Sequence, residues 1–399
     1  MSKKIRKTAK VKSRKAKPVK QPESATVTEQ VQNPPPEPTN PPAQTVKIAR
    51  QDLQSTLAIA NDFTAKAEFK VILGCVRITT GKDFQPYSFC KLQTTDLEIS
   101  YTHQLPYVGD QVDKCIPLDI LLAEVKALPS DITEVELTFT ENKVQINGRC
   151  EIYTNPGEEY PEIKTVKGEV VEIIDISEKL NRVIPAAAVG YNKGALSGVC
   201  FDFPKGHIVA ADGNRLHLED LLKIKNSKAI ILPLKTALLL AKHSLSGSMT
   251  ISEDRVSCDL SLGKMTSMLV EGKYPDYGNV IPKDNPVKST FSGKEFLRLI
   301  DGVMPVSNKN YRVVTLSING RLEIEIKNAD IGQYKWHIPC QSEGKHKDIT
   351  IAFNIRYLVD AIRAYTTKEN DNVVMEIKDQ CSPMIINQRA VVMPIEIKP

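Results

Sequence analysis

One pattern of elements runs through this chain three times, and that recurrence restricts the fold more than any single motif does. Each unit opens with a stretch of helical period, apolar residues returning every three or four positions: RQDLQSTLAIANDF from Arg50, ISEKLNRVIPAAA from Ile176 and GKEFLRLIDGVM from Gly293. Strand-like alternation follows, as DLEISY, GHIVAADGNRLHL and RLEIEIK. A second helix then starts at Pro117, Pro233 and Asn354, at spacings of 116 and 121 residues. Proline suits the first turn of a helix, where a backbone donor has no intrahelical acceptor. Each unit closes in more alternating segments, VELTFTENKVQING, SMTISEDRVSCDLSL and VVMEIKDQCSPMIINQ. The pattern predicts an α+β class, helices on one face of antiparallel strands, in three domains spanning residues 46–165, 166–283 and 284–399.

Residues 1–45 stand apart. Ten Lys and Arg fall within the first 20 residues, and only Glu23, Glu29 and Glu37 oppose them, so this segment carries +7 of the overall +5 and leaves −2 for the rest. With few large apolar residues and the run NPPPEPTNPP, it is expected to be a disordered tail, either solubilising or a non-specific tether to polyanions. No apolar run approaches a membrane span and no signal-peptide core opens the chain, so a cytoplasmic protein without membrane contact is expected. The eight cysteines lack C-x-x-C spacing, which argues against a zinc site or a disulfide framework and leaves buried free thiols. No metal or cofactor is expected.

Within the acidic body the predicted helices carry basic residues: Arg50, Lys179, Arg182, Lys235, Lys242, Lys294, Arg298, Arg356 and Arg363. A solvated face explains any one of them, and a shared anionic ligand explains their recurrence. VAADGNRLHL reads locally as a hairpin, Asp212-Gly213 supplying the turn. Enzyme signatures are missing: there is no G-x-x-x-x-G-K-[ST], H-E-x-x-H or G-x-S-x-G, and Asp212 with His217 makes a poor acid–base pair because hairpin chemistry already accounts for both.

Taken together, the chain from residue 46 onward resembles the bacterial DNA polymerase III β subunit, the sliding clamp. The landmarks are FKVILGCV with TTDLEIS, then VAADGNRL, GKYPDYGNVIP and the C-terminal VVMPIEI. The resemblance implies a DNA clamp fold: a ring-shaped homodimer of three-domain chains, helices lining a channel for duplex DNA and sheets outside. It implies a non-catalytic processivity subunit that tethers a DNA polymerase catalytic subunit and is opened by an ATP-dependent clamp loader. The DNA-facing set is then expected to be Lys66, Lys179, Arg182, Lys193, Lys235, Lys242, Arg298, Arg356 and Arg363, touching phosphates without reading bases. A groove for partner peptides is expected from Leu196, Ala211, Gly213, Asn214, Arg215, Leu216, Pro275, Val280, Val392, Met393, Pro394 and Ile395. Ala211, Asn214 and Glu396 replace the usual Thr, His and Arg of the family, and the basic tail is extra. A second reading of the same features is an accessory clamp-fold scaffold from a mobile element, recruiting other DNA-processing factors.

Overall fold

The computed structural model describes residues 42–396 except 66–70, 82–87, 174–175, 191–192, 225–226, 305–311, 329, 345–348 and 368–370. Lys66 and nearly all of the basic tail therefore lie outside the described residues. Pro42–Pro399 forms one compact unit.

The first repeat runs β1 (Gln44–Ala49), α1 (Arg50–Ala60), β2 (Cys75–Thr80), β3 (Phe89–Thr95) and β4 (Ile99–Pro106). It continues through β5 (Val108–Gly109), β6 (Asp113–Pro117), α2 (Leu118–Ala127), β7 (Glu134–Phe139), β8 (Lys143–Ile146), β9 (Cys150–Tyr153) and the short β10 (Asn155–Pro156). The second comprises β11 (Glu169–Ile173), α3 (Ile176–Val183), β12 (Gly198–Asp202), β13 (His207–Ala211) and β14 (Arg215–Asp220). After these come β15 (Ile230–Pro233), α4 (Leu234–His243), β16 (Leu245–Ile251), β17 (Arg255–Leu260) and β18 (Lys264–Met268). The third opens with β19 (Val287–Ser292), α5 (Gly293–Val303), β20 (Val313–Ile318), β21 (Leu322–Asn328) and β22 (Gly332–Ile338). It ends with β23 (Cys340–Glu343), β24 (Ile349–Asn354), α6 (Ile355–Tyr365), β25 (Asn372–Ile377), β26 (Met384–Ile386) and β27 (Ala390–Val392).

The helices form where the apolar period demands. Phe296, Leu299, Ile300 and Val303 of α5 are buried, as are Ile355, Leu358, Val359 and Ile362 of α6, each set one stripe of a 3.6-residue period. Ser292 Oγ caps α5 by accepting the Glu295 amide at 3.1 Å, and Asn354 Oδ1 caps α6 by accepting that of Arg356 at 3.0 Å. Pro117 and Pro233 sit at the cap position itself, one residue ahead of the helical turn expected for them.

Each repeat folds as two half-sheets built on four strands and backed by its two helices, with β5 and β10 added in the first repeat and β23 in the third, and half-sheets of neighbouring repeats merge. β4 pairs antiparallel with β18, Tyr101 opposite Met265, joining first repeat to second. β14 pairs with β27, His217 opposite Ala390, joining second to third. The same two strand positions are left at sheet ends by β22 and by β9. A turn marks the repeat to the residue. The side-chain oxygens of Asp96, Asp212 and Asn328, 116 residues apart, each accept the amide two residues on, at 3.0, 2.9 and 3.0 Å. Five of the eight cysteines are buried, none is disulfide-bonded, and Cys381 is exposed. No described helix is long and apolar enough to cross a membrane.

Candidate partner groove and basic helix faces

Where the second and third repeats meet, the hairpin of Asp212-Gly213 stands over a small apolar cavity. Asp212 Oδ1 takes the Asn214 and Arg215 amides at 2.9 and 3.1 Å, and Gly213 adopts φ +95°, a backbone setting that L side chains rarely take. Arg215 then ties this turn to the third repeat. Its Nε donates to Asp212 at 3.0 Å, its Nη1 to Asp360 of α6 at 2.6 Å, and its guanidinium lies 4.4 Å from the Tyr357 ring centroid.

The cavity, about 150 Å³, is lined by Leu196, Ala211, Gly213, Arg215, Leu216, Pro275, Val280 and Met393 of the expected set. Four further residues line it that the expected set left out: Tyr274, Asp276, Tyr277 and Val391. Asn214, Val392, Pro394 and Ile395 do not line it. Strand alternation explains Val392, which is buried in the core of the third repeat while Val391 and Met393 face the cavity. Asn214 contributes its carbonyl instead, accepting the Met393 amide at 2.8 Å, and the Ile395 amide is held at 2.8 Å by the Ala352 carbonyl.

One wall is the loop Tyr274–Val280, pinned from behind. The buried Tyr277 hydroxyl donates to Asp202 at 2.9 Å and lies 3.0 Å from His207 Nδ1, with Lys205 4.4 Å from its ring centroid. Lys205 also reaches Asp276 at 3.1 Å. Burial first, then the Asp202 bond, raises the Tyr277 pKa, so the hydroxyl stays protonated as the donor. Burial likewise pushes the nearby Cys200 thiol up to about 12, which leaves it an apolar filler rather than a nucleophile. His217 is fully buried, its Nδ1 2.7 Å from the Arg182 carbonyl, and burial lowers its pKa to about 4.

The basic helix residues divide sharply. Arg298 and Arg356 are exposed on α5 and α6, and Lys193 is exposed just ahead of Leu196. Lys179 donates to the Asp220 carbonyl at 3.0 Å. Arg182 lies 3.4 Å from Glu178 and 3.6 Å from the buried Glu219, Arg363 lies 3.3 Å from Asp301, and Lys242 lies 2.7 Å from Asp62. Lys235 is ion-paired with Asp96 across the first junction. Arg50 is a clip for the end of α2, donating to the carbonyls of Leu128 at 2.7 Å and Lys126 at 3.3 Å. It belongs to the helix-capping chemistry of the first repeat, not to a solvated basic face.

Residues 278–393 match the family model described as DNA polymerase III beta subunit, C-terminal domain. The chain is 25% identical over 332 residues to the beta sliding clamp of Pseudomonas putida, covering 77% of this chain and 88% of that protein. The DNA polymerase III β subunit of Thermotoga maritima superposes with a TM-score of 0.78 at 25% identity, over 89% of this chain and 100% of that one. The DNA polymerase sliding clamp of Bacillus subtilis gives 0.80 at 19% identity, over 90% and 100%.

Proposed function

We propose that this chain, which belongs to the DNA polymerase III β-subunit family, acts as a DNA sliding clamp in which two copies close head to tail around duplex DNA and tether a replicative polymerase. In this reading residues 46–165, 166–283 and 284–399 are the three domains, the chain catalyses nothing itself, and an ATP-driven loader opens the ring. The groove beneath Asp212-Gly213 takes an apolar side chain from the polymerase or loader. Arg298, Arg356, Lys193 and Lys179 lead the phosphate-facing set, and the already paired Arg182, Lys235, Lys242 and Arg363 add to it only where DNA displaces their carboxylates.

The observation that carries this reading is the pair of unmerged edges. By repeat equivalence β22 occupies the place of β4 and β14, and β9 that of β18 and β27. The equivalence extends to side chains: Asn147 Oδ1 accepts the Glu136 amide at 3.3 Å as Asn387 Oδ1 accepts that of Val374 at 2.7 Å, so Cys150 corresponds to Ala390. Tyr334 corresponds to His217 and Tyr101: their ladder partners Ile326, Ala210 and Thr94 each lie two residues ahead of the Asx residue. The existing junctions then predict Tyr334 of one copy opposite Cys150 of the next. Large apolar side chains stand exposed at these edges, Ile331 and Trp336 on one and Tyr153 on the other, as a partner sheet would require.

The equivalent intrachain pair, His217 with Ala390, is a non-hydrogen-bonded pair, since the Leu218 amide donates to the Arg389 carbonyl beyond it. Such pairs hold Cα atoms about 4.5 Å apart, within disulfide range. A Tyr334→Cys variant under mild oxidant should therefore give a covalent dimer through the native Cys150, lost in Tyr334→Cys with Cys150→Ser. A dimer by sedimentation that never cross-links here would overturn this pairing of edges.

A further inference from the structure

The two junctions within the chain are tied by charge at one recurring place, where the Asx turn of one repeat faces the first turn of the next repeat's second helix. At the first junction Asp96 is the turn residue and Lys235, second residue of α4, is its ion-pair partner. At the second junction the turn residue is Asp212 and the helix residue Arg356, and the tie runs from Asp212 through Arg215 to Asp360 of α6. Repeat equivalence places Asn328 and Asp119, second residue of α2, at the third such site. There the acid of the turn has become a neutral amide, and the base of the helix has become an exposed acid.

We infer that Asn328 and Asp119 set the strength of the junction between copies, leaving that seam held by its apolar edges but without the ion pair that locks each seam inside the chain. The inference rests on the two-copy ring proposed above. Its physical content is that an Asp at 328 would face the Asp119 carboxylate, so the amide at 328 avoids a like-charge contact without restoring an attraction. The seam between copies is thereby the one that parts first, while the covalently continuous repeats stay joined.

The test is a double-mutant cycle on the full chain, read as dimer dissociation constant by sedimentation equilibrium. Asn328→Asp keeps the turn, because Asp96 and Asp212 make the same bond with a carboxylate oxygen. Alone it should weaken the dimer. Asp119→Lys alone should change little. The double variant recreates the Asp–Lys pair at both seams of the ring and should tighten the dimer about five- to thirty-fold relative to wild type, each seam behaving as a partly exposed ion pair. The coupling should fade near 1 M salt, where charges are screened within about 3 Å. Additive effects of the two substitutions in a protein that does dimerise would overturn the inference and leave the ring intact. A wild-type chain that stays monomeric at every concentration would instead remove the ring reading, and this inference with it. Thermal unfolding of each variant separates a loss of folding from a loss of association.

Discussion

Replacing Leu216 with Lys should abolish binding of a partner peptide at the groove while leaving the ring closed. Leu216 is almost fully buried on β14, opposite Val391, and forms part of the cavity floor. A lysine there keeps its aliphatic stem on the floor and runs its ammonium toward the mouth, through the space a ligand side chain would fill. That space is about 150 Å³, a size which in an apolar cavity accommodates a benzene ring. One Leu or Phe of a partner is thus the expected occupant, and burying it contributes about 1.5–3 kcal/mol, roughly a ten- to hundredfold effect on affinity. The assay is fluorescence titration of a labelled polymerase peptide, beside the same peptide with its apolar anchor changed to Ala. On wild type the anchor change should cost that ten- to hundredfold. On Leu216→Lys both peptides should bind equally weakly. Val280→Asp, at the exposed rim, gives the same comparison without touching a buried strand position. Full peptide affinity in a folded, dimeric Leu216→Lys protein would place the docking site elsewhere and return Asp212-Gly213 to a plain hairpin turn.

Acid should destabilise the protein through His217. Its folded pKa of about 4 lies below the ordinary 6.5 because of burial, so the unfolded chain binds the extra proton first; stability is fully present above about pH 6.5 and falls as the pH drops toward 4, by about 3 kcal/mol. Urea unfolding of His217→Asn should show a flatter loss over that window, and an unchanged slope would mean that His217 is not the titrating group. Neutralising Lys179, Arg298 and Arg356 in protein lacking residues 1–41, which spares β1, should weaken duplex binding irrespective of sequence, with each lost phosphate contact lowering the log–log salt slope by about 0.9. An unchanged slope would remove those three from the DNA-facing set.

Much of this was legible in the residues, and the failures have physical causes. The six α-helices among the described residues lie where apolar period put them, because amphipathic stripes such as Phe296–Val303 are local signals. The groove residues on separate segments were found only through resemblance, since nothing local joins Leu196 to Met393. Val391 was nonetheless within reach: once Met393 faces the groove, strand alternation sends Val391 the same way and Val392 into the core. Tyr277 was hidden because its importance lies in Asp202 and His207, some 70 residues earlier. Sequence counts the basic residues on helices but not the carboxylates that distant segments bring to them, as Asp62 is brought to Lys242 across 180 residues. The third Asx turn escaped notice for a similar reason. Asn328-Ala329-Asp330 shares little with Asp212-Gly213-Asn214 beyond a side-chain oxygen that accepts a bond two residues on.

A ring closed around duplex DNA is retained by topology and not by surface contacts alone. The most direct measurement is retention on nicked circular duplex, after loading with a cognate loader and ATP, before and after a single cut that linearises the circle. A ring should stay on the circle through a high-salt wash that strips surface-bound protein and then slide off the free ends once the DNA is cut. Equal retention on circular and linear DNA, or loss from both in the salt wash, would contradict it.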